Sequence, residues 1–530
     1  MQSAAPYLSV VAAARNDDHG ANFLRRMQTF VSALVGQVRR YRLPTELVLV
    51  EWNPPPERPP LAQAIEWPDA PSPCRIRIVT VPACLHRRYR FPDALPLYQM
   101  IAKNVGIRRA EGEFILATNV DILLSDELME FLAARRLEPG RMYRIDRYDV
   151  EPDVPPHGPV EEQLAYCRSH MIRVNAREGT FALTPEGHRM AGAVEVPGAR
   201  GEFFFGAGWY AAEQYCGEVF RWIADDAEVA ATPSSRPRTL VIELEPGPGA
   251  CSNGFQLGLV EPPGSLRAQA RIDGPSRVRF SIPAGMARFS IHVGGGGLRT
   301  LPDARTLNAR IFRFGWEDGP AGGRPDVAVT PLGFRAAAKR VLQFAKAGIG
   351  FLRDWRQADQ PGRIGLPVPS AILKHLQVKS EARGLSITIG RQEEQQNIGI
   401  APAELHTNAC GDFTLLHRRH WLELRGYPEF DLYSMNIDSM LCYMAHYSGA
   451  TEEVLVEPMR IYHIEHSSGS GWTPEGQKLL FRRLAQNGVP WLDFSEVLRC
   501  ASLMAQLQTT MIFNRDDWGI NDHQLSETKL

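Results

Sequence analysis

Short, wholly apolar runs that end in polar clusters set the pattern of the N-terminal part of the chain. Tyr7–Ala14 runs into Arg15, Asn16, Asp17 and Asp18. Glu46–Val50 runs into Glu51, Trp52 and Asn53, and Phe114–Ala117 runs into Thr118, Asn119 and Asp121. Arg75–Val81 has the composition of a further strand. Continuous apolar runs this short are the pattern of strands buried on both faces. Between them, Asn22–Tyr41 and Ile101–Ala110 carry apolar residues at helical spacing, and Gly112 is a stop signal just past the second. Strand and helix alternate, which predicts an α/β fold built on a parallel sheet with right-handed crossovers.

In open sheets of this kind ligands bind at the carboxyl edge of the strands. Three polar clusters fall at that edge. Asn119 and Asp121 place a carboxamide beside a carboxylate, a pair suited to Mg²⁺ or Mn²⁺ that is also held by phosphate oxygens. The same two residues also suit a turn leading into the helix that Ser125 and Asp126 begin. Recurrence at three strand ends favours a shared site over unrelated turns.

A second patterned block lies far downstream. Gly411–Leu416 is a strand entry, followed by His420–Glu429 with Trp421 and a Gly426-Tyr427-Pro428-Glu429 turn. Asn436, Ile437 and Asp438 then open an apolar helix over Ser439–Tyr447. A carboxylate at a helix start has its ionised form favoured by the helix dipole, as a general base requires, although Asp438 also suits a plain N-cap. Ile461–His466 reads as a strand with His463 on one face and His466 on the other. His466 leads into the Ser/Gly-rich stretch Ser467–Gly471.

These two blocks resemble the GT-A fold of family-2-type, inverting glycosyltransferases. The resemblance rests on Ser9-Val10-Val11 through Asn16, on Lys103-Asn104-Val105-Gly106, on Ala110 to Phe114, on the Asn119-x-Asp121 motif, and on the block from Gly411 to Asp438. It covers roughly Tyr7 to Asp149 and Leu405 to Ser470. Two departures stand out: Glu51-Trp52-Asn53 replaces an Asp pair, and Asn119 replaces the first Asp of the metal motif. The resemblance implies transfer of a sugar from a nucleoside-diphosphate sugar to a hydroxyl of a glycan or lipid-linked acceptor. It implies Mn²⁺ or Mg²⁺ held by Asp121, Asn119 and His466, with Asp438 as the base. Asn16, Asp17, Glu51, Asn53 and Lys103 fall on the donor side, with Asn104 bracing the strand ends, and Asp412 and Asn436 fall on the acceptor side.

The middle of the chain changes character. From about Phe203 to Trp316, alternating runs such as Thr239–Leu244, Ser276–Ile282, Ala287–Val293 and Ala309–Phe314 are separated by Gly- and Pro-rich turns. That pattern predicts a β-sandwich. Its opening, Gly208-Trp209-Tyr210 with Phe220-Arg221-Trp222, resembles a sandwich module found inside other bacterial glycosyltransferases. Trp209 and Trp222 suit core positions better than a glycan surface. Gly294–Gly297 is a loop and not a phosphate cradle, since no helix opens after it. Leu332–Gln357 reads as a basic amphipathic helix, a packing helix or a candidate for peripheral contact with an anionic membrane.

Composition narrows the class. The 530 residues carry 59 Lys and Arg against 60 Asp and Glu, a balance that argues against nucleic acid as the main partner. No apolar run approaches the ~20 residues that span a bilayer, and Met1–Pro6 lacks the features of a secretory signal. Eight cysteines occur without CxxC spacing, which predicts reduced thiols in a cytoplasmic protein, with the helix over 332–357 as the candidate for peripheral contact with the inner membrane. The expected organisation is an α/β, Rossmann-like GT-A domain interrupted by an all-β sandwich. Its parts are a nucleotide-sugar part over 1–200, the sandwich over 201–318, a helical connector over 319–400, and the acceptor and catalytic-base part over 401–530. A non-catalytic glycan-binding protein with a degenerate transferase domain is the alternative. A sugar-phosphate nucleotidyltransferase ranks lower, because Ala12–Asp18 offers no Gly-rich basic loop.

Overall fold

The computed structural model describes residues 5–68, 73–184, 203–215, 218–250, 254–262, 264–297, 305–317, 326–332, 402–466 and 476–530, with a few isolated positions besides. The chain forms two compact units, Met1–Arg177 with Leu366–Leu530, and Glu178–Gly365. The second unit begins at Glu178, earlier than the break expected at 200. Apart from 326–332 and Gln377–Val378, the expected connector over 319–400 and the basic helix over 332–357 lie outside the described residues, as does the Ser467–Gly471 stretch.

The first unit is a mixed α/β structure. Its main sheet has eight strands in the order Thr451–Leu455, Arg141–Ile145, Thr414–His417, β4 (Phe114–Ala117), β1 (Leu8–Ala14), β2 (Thr45–Trp52), β3 (Cys74–Val81) and Ser526–Lys529. β1 pairs in parallel with both β2 and β4, and β2 with β3. The sheet is not wholly parallel, however. Thr414–His417 runs antiparallel to β4, and Ser526–Lys529 runs antiparallel to β3. Both strands come from the downstream segment, and an antiparallel neighbour does not require the crossover connection that a parallel one does.

Every residue of β1, β2 and β4 is buried, as their unbroken apolar runs require. Alternate side chains feed two cores. Val11, Ala13, Val48 and Val50 face helices Gln99–Arg109 and Ile437–Tyr447, whereas Val10, Ala12, Leu47 and Leu49 face helix Phe23–Tyr41. Each such Val or Leu contributes about 1.5–3 kcal/mol on full burial. The chain order reverses between β1 and β4, so a crevice opens past Ala14 and Ala117, the place where ligands enter such sheets. A smaller group of strands in the same unit includes β5 (Ile122–Leu124), Ile461–Ile464, β7 (Arg147–Val150) and β8 (Met171–Ala176), where β6 is the strand Arg141–Ile145 already named.

Two internal braces tie the downstream segment to this sheet. Asn104, fully buried, donates to the Tyr427 carbonyl at 2.8 Å and to Glu429 at 3.0 Å, and accepts from the Tyr427 amide at 2.8 Å. Glu429 also accepts from the Gly519 amide at 2.8 Å. Gly112 is needed for close approach rather than for a turn: a Cβ there would lie 2.5 Å from Ser9 Oγ and 2.7 Å from the Ser9 backbone nitrogen.

Among the described residues, the strands of the second unit pair antiparallel throughout. One five-stranded sheet runs Phe203–Phe205, Ala227–Ala231, Arg288–Gly294, Phe255–Glu261, Ser265–Ile272, and one six-stranded sheet has Ala309–Glu317 and Arg238–Pro246 at its centre. Inward residues of both sheets share one core, which holds Trp209 against Phe205 and Phe314. Trp222 lies outside that core, half-buried beside Phe220 and Arg310. No described helix is long and apolar enough to cross a membrane.

Two outcomes follow from this packing. Gly112→Ala is expected to lower the unfolding free energy by about 1–3 kcal/mol in urea titrations, because backbone, not a flexible tip, must give way. Burial pushes the Glu429 carboxyl up from 4.5 to about 7, against the donors Asn104 and Gly519. Its protonated form is therefore favoured by folding, a stabilisation fully present below the unfolded value and lost as pH rises to about 7. Glu429→Gln keeps the acceptor oxygen and is expected to remove this decline, so that the variant gains on the wild type between pH 5 and 8 in denaturation curves.

Candidate metal centre

Strand register assembles the site. β4 ends at Ala117, and the Thr118 hydroxyl donates to the Asp412 carbonyl at 2.7 Å, tying the turn to the downstream segment. The Ile464 amide donates to the Asp121 carbonyl at 3.0 Å, and His463 stands opposite Ile122 on one side and Asp149 on the other. The strand stops at Ile464, so strict alternation fails beyond it. His463 and His466, expected on opposite faces, instead come together with ring centroids 5.2 Å apart.

Both imidazoles converge on Asp121. His463 Nε2 lies 3.8 Å and His466 Nε2 3.6 Å from Asp121 Oδ2, and the three donor atoms fall within 4.8 Å of one another. Ligand atoms that share one divalent ion at ~2.0–2.2 Å are separated by roughly 3–4 Å, so these spacings fit a common ion. Asp121 is 8% exposed, and its Oδ1 is buried with no hydrogen-bond partner among the described residues. An orphaned buried carboxylate oxygen is costly unless a cation completes it. Burial, reinforced by His463, lowers the His466 pKa to about 4, so that ring is a neutral, metal-ready donor. For His463, burial and Arg147 favour the neutral ring, but Asp121 and Asp149 together outweigh them and raise its pKa. A proton or a metal ion is therefore drawn to the space between these groups.

The loop after β1 roofs this cluster. Gly20 has φ +76°, and a Cβ there would stand 2.8 Å from His466 Nδ1. Arg26, on the helix that follows, donates to the His19 carbonyl at 2.8 Å and to the Ala21 carbonyl, and its Nε lies 3.7 Å from Asp121 Oδ2.

Asn119 is not a member of the cluster. Its carboxamide oxygen accepts from Gln99 at 2.8 Å and its nitrogen donates to Asp412, so both ends are engaged away from Asp121. Asp412 also pairs with Arg147. Burial alone would raise the Asp412 pKa, but Arg147, His463 and Lys103 outweigh it and hold the carboxyl low. Lys103 is fully buried and donates to the Gly411 carbonyl at 2.6 Å, so the structure makes it an interior brace and not a surface contact for a nucleotide. Burial lowers its pKa to about 8, opposed by Asp412, Asp438 and Asp121.

Asp438 is the second residue of its helix and accepts from the Ser439 amide at 3.0 Å. Burial raises its pKa despite that helix start, the Cys410 thiol and Lys103, a reversal of the expected dipole effect. A Cβ at Gly411 would lie 2.8 Å from Asp438 Oδ2, so only glycine leaves room beside the carboxylate. Asn436 is the N-cap residue in the left-handed region (φ 61°), and its side chain donates to the Leu492 carbonyl at 2.8 Å.

The remaining predicted residues gather around the loop that follows β2. Asn16 donates to the Pro59 carbonyl at 2.9 Å. Glu51 is 2% exposed and accepts from the Leu61 amide at 2.8 Å, so its carboxyl holds the loop and does not face solvent. Asp17 pairs with Arg15 at 2.6 Å, and Arg15 donates to the Asn53 carbonyl at 2.8 Å. Asp17 and Asn53 stay partly exposed at the rim.

Sequence reasoning missed Asp149, Arg147 and Arg173. They form a polar stripe on strands β7 and β8, a pattern that reads as a solvent face until its neighbours are known. No protein-family model matches this chain, and no curated protein matches it either. Direct titration with Mn²⁺, without nucleotide, is expected to show one site per chain, with Asp121→Ala weakening it at least tenfold by calorimetry.

Proposed function

We propose that this chain is an inverting glycosyltransferase, a GT-A-type unit interrupted by a β-sandwich, acting on a nucleoside-diphosphate sugar. The observation that carries the reading is the convergence of Asp121, His463 and His466 beside the crevice between β1 and β4, with Asp438 brought near from the downstream segment. The reading is supported by Lys103, which donates to the Gly411 carbonyl beside the Asp438 carboxylate and whose charge is favoured by Asp412, Asp438 and Asp121.

Mn²⁺ or Mg²⁺ held by Asp121, His463 and His466 would supply charge neutralisation for a leaving diphosphate. The two imidazoles favour Mn²⁺ of the pair, since Mg²⁺ prefers oxygen donors. Asp438 takes the proton of the acceptor hydroxyl as that oxygen bonds to the anomeric carbon and the bond to the diphosphate breaks. Its raised pKa gives it more basicity than an ordinary carboxylate, a useful property in a general base. Asp17 and Asn53, at the exposed rim, are better placed to meet the nucleotide than buried Glu51 and Lys103. Surface polysaccharide or glycolipid assembly at the cytoplasmic face of a membrane is the setting this chemistry suits.

The non-catalytic reading, glycan binding by a degenerate transferase, draws on the engagement of Asn119 and Glu51 by protein partners. Calorimetry with UDP, GDP, CDP and dTDP, with and without Mn²⁺, separates the two. Metal-dependent binding of one nucleotide is expected. Asp438→Asn should keep that binding and lose donor turnover by ~10²-fold or more. Because burial raises the folded-state pKa of Asp438, turnover should fall as pH drops through a value higher than that of an ordinary aspartate. Absence of nucleotide binding under every condition would overturn the transferase reading in favour of glycan binding.

A further inference from the structure

Asp149 sits in the middle of β7 and is wholly buried, yet it touches no residue that the proposed reaction uses directly except His463. Its Oδ1 lies 2.8 Å from Arg147 Nε and 3.2 Å from His463 Nδ1. Its Oδ2 accepts from Arg173 at 2.7 Å and from Asn175 at 3.2 Å. A carboxylate surrounded by this many donors stays ionised and can only accept. The hydrogen on His463 must therefore sit on Nδ1, which leaves Nε2 as the atom turned toward Asp121 at 3.8 Å.

We infer that Asp149 is the positioning residue of the metal centre: it fixes the ring of His463 with hydrogen on Nδ1 and so aims Nε2 at the ion. An unsupported imidazole can rotate or exchange tautomers, and metal binding must then select one arrangement from several. A buried carboxylate behind the ring removes that choice and makes the metal-facing nitrogen more basic; loss of such partners typically costs 10–100-fold in metal affinity.

The same carboxylate joins both sides of the site. Arg147 bridges Asp149 to Asp412, and Asp412 in turn accepts from Asn119 at the end of β4. Arg173 bridges Asp149 to Glu465 at 2.7 Å, the residue just before His466. Both histidine positions are thus referred to one fixed charge.

The inference rests on the metal-centre reading, and titration of the wild type with Mn²⁺ tests that reading alone. Failure of the wild type to bind Mn²⁺ overturns both. Given binding, Asp149→Leu, which offers Nδ1 no acceptor, is expected to weaken it 10–100-fold. Asn175→Ala removes another buried partner of Asp149 without touching His463. It should lose stability in thermal melts while holding Mn²⁺ affinity within about twofold of the wild type. Equal affinity in Asp149→Leu and wild type, or an equal loss in Asn175→Ala, would make Asp149 a merely structural residue and overturn the inference. A measurement on the wild type guards against a variant that does not fold. With ¹⁵N-labelled histidine and diamagnetic Zn²⁺, His463 should show hydrogen on Nδ1 and metal on Nε2. The reverse assignment overturns the proposal.

Discussion

The pairing of Leu8–Ala14 with Phe114–Ala117 is the contact on which the rest of this site depends. Both strands are covered on both faces, so nothing polar can project from their middles without a steep desolvation cost. Apart from Ser9, whose hydroxyl donates to Glu46 near the start of the first strand, the polar side chains fall where each strand runs out. Because the two strands are parallel and lie where the chain order reverses, their ends open on the same side. The crevice, the loop carrying Gly20 with the helix carrying Arg26, and the turn carrying Asp121 all follow from that one pairing.

Beneath the crevice, charge is managed by partnership rather than by water. Asp149, Arg147, Asp412 and Lys103 are each almost wholly buried, and each faces at least one group of opposite sign. Removing one member of such a set commonly costs several kcal/mol, because the partner is left charged and unpaired. Asp121 stands at the edge of the set, with one oxygen near Arg26 and two imidazoles and the other oxygen without a partner among the described residues. The interior is balanced except at the place where an ion would enter.

Much of this was legible in the sequence, for a physical reason. Strands buried on both faces write themselves as continuous apolar runs, and β1, β2 and β4 appear in the structure within one or two residues of those runs, with β3 close to its alternating stretch Arg75–Val81. Asp121 could be singled out because it follows such a run directly. His463 could not be paired with His466 in advance, since alternation separates them until the strand is seen to stop at Ile464. Lys103 and Glu51 carry charge, and charge in a sequence suggests a surface; only the fold reveals the carbonyl and amide that hold them inside. Asp149 was hidden for the opposite reason, since its alternating stripe looks like an ordinary wet strand face.

The strand Thr414–His417 lies between Arg141–Ile145 and Phe114–Ala117, in the interior of the main sheet. Its two neighbours leave the ribosome long before it does. At ~5–20 residues per second, the roughly 270 residues between Ile145 and Thr414 take about 15–55 s to synthesise. Throughout that interval the hydrogen-bonding edge of Phe114–Ala117 that will receive Thr414–His417 has no native partner. Open edges of apolar strands are templates for pairing with other chains. The nascent protein therefore spends about half of its synthesis with its main sheet split down the middle, and shielding of that edge until Thr414–His417 arrives becomes a requirement of its folding.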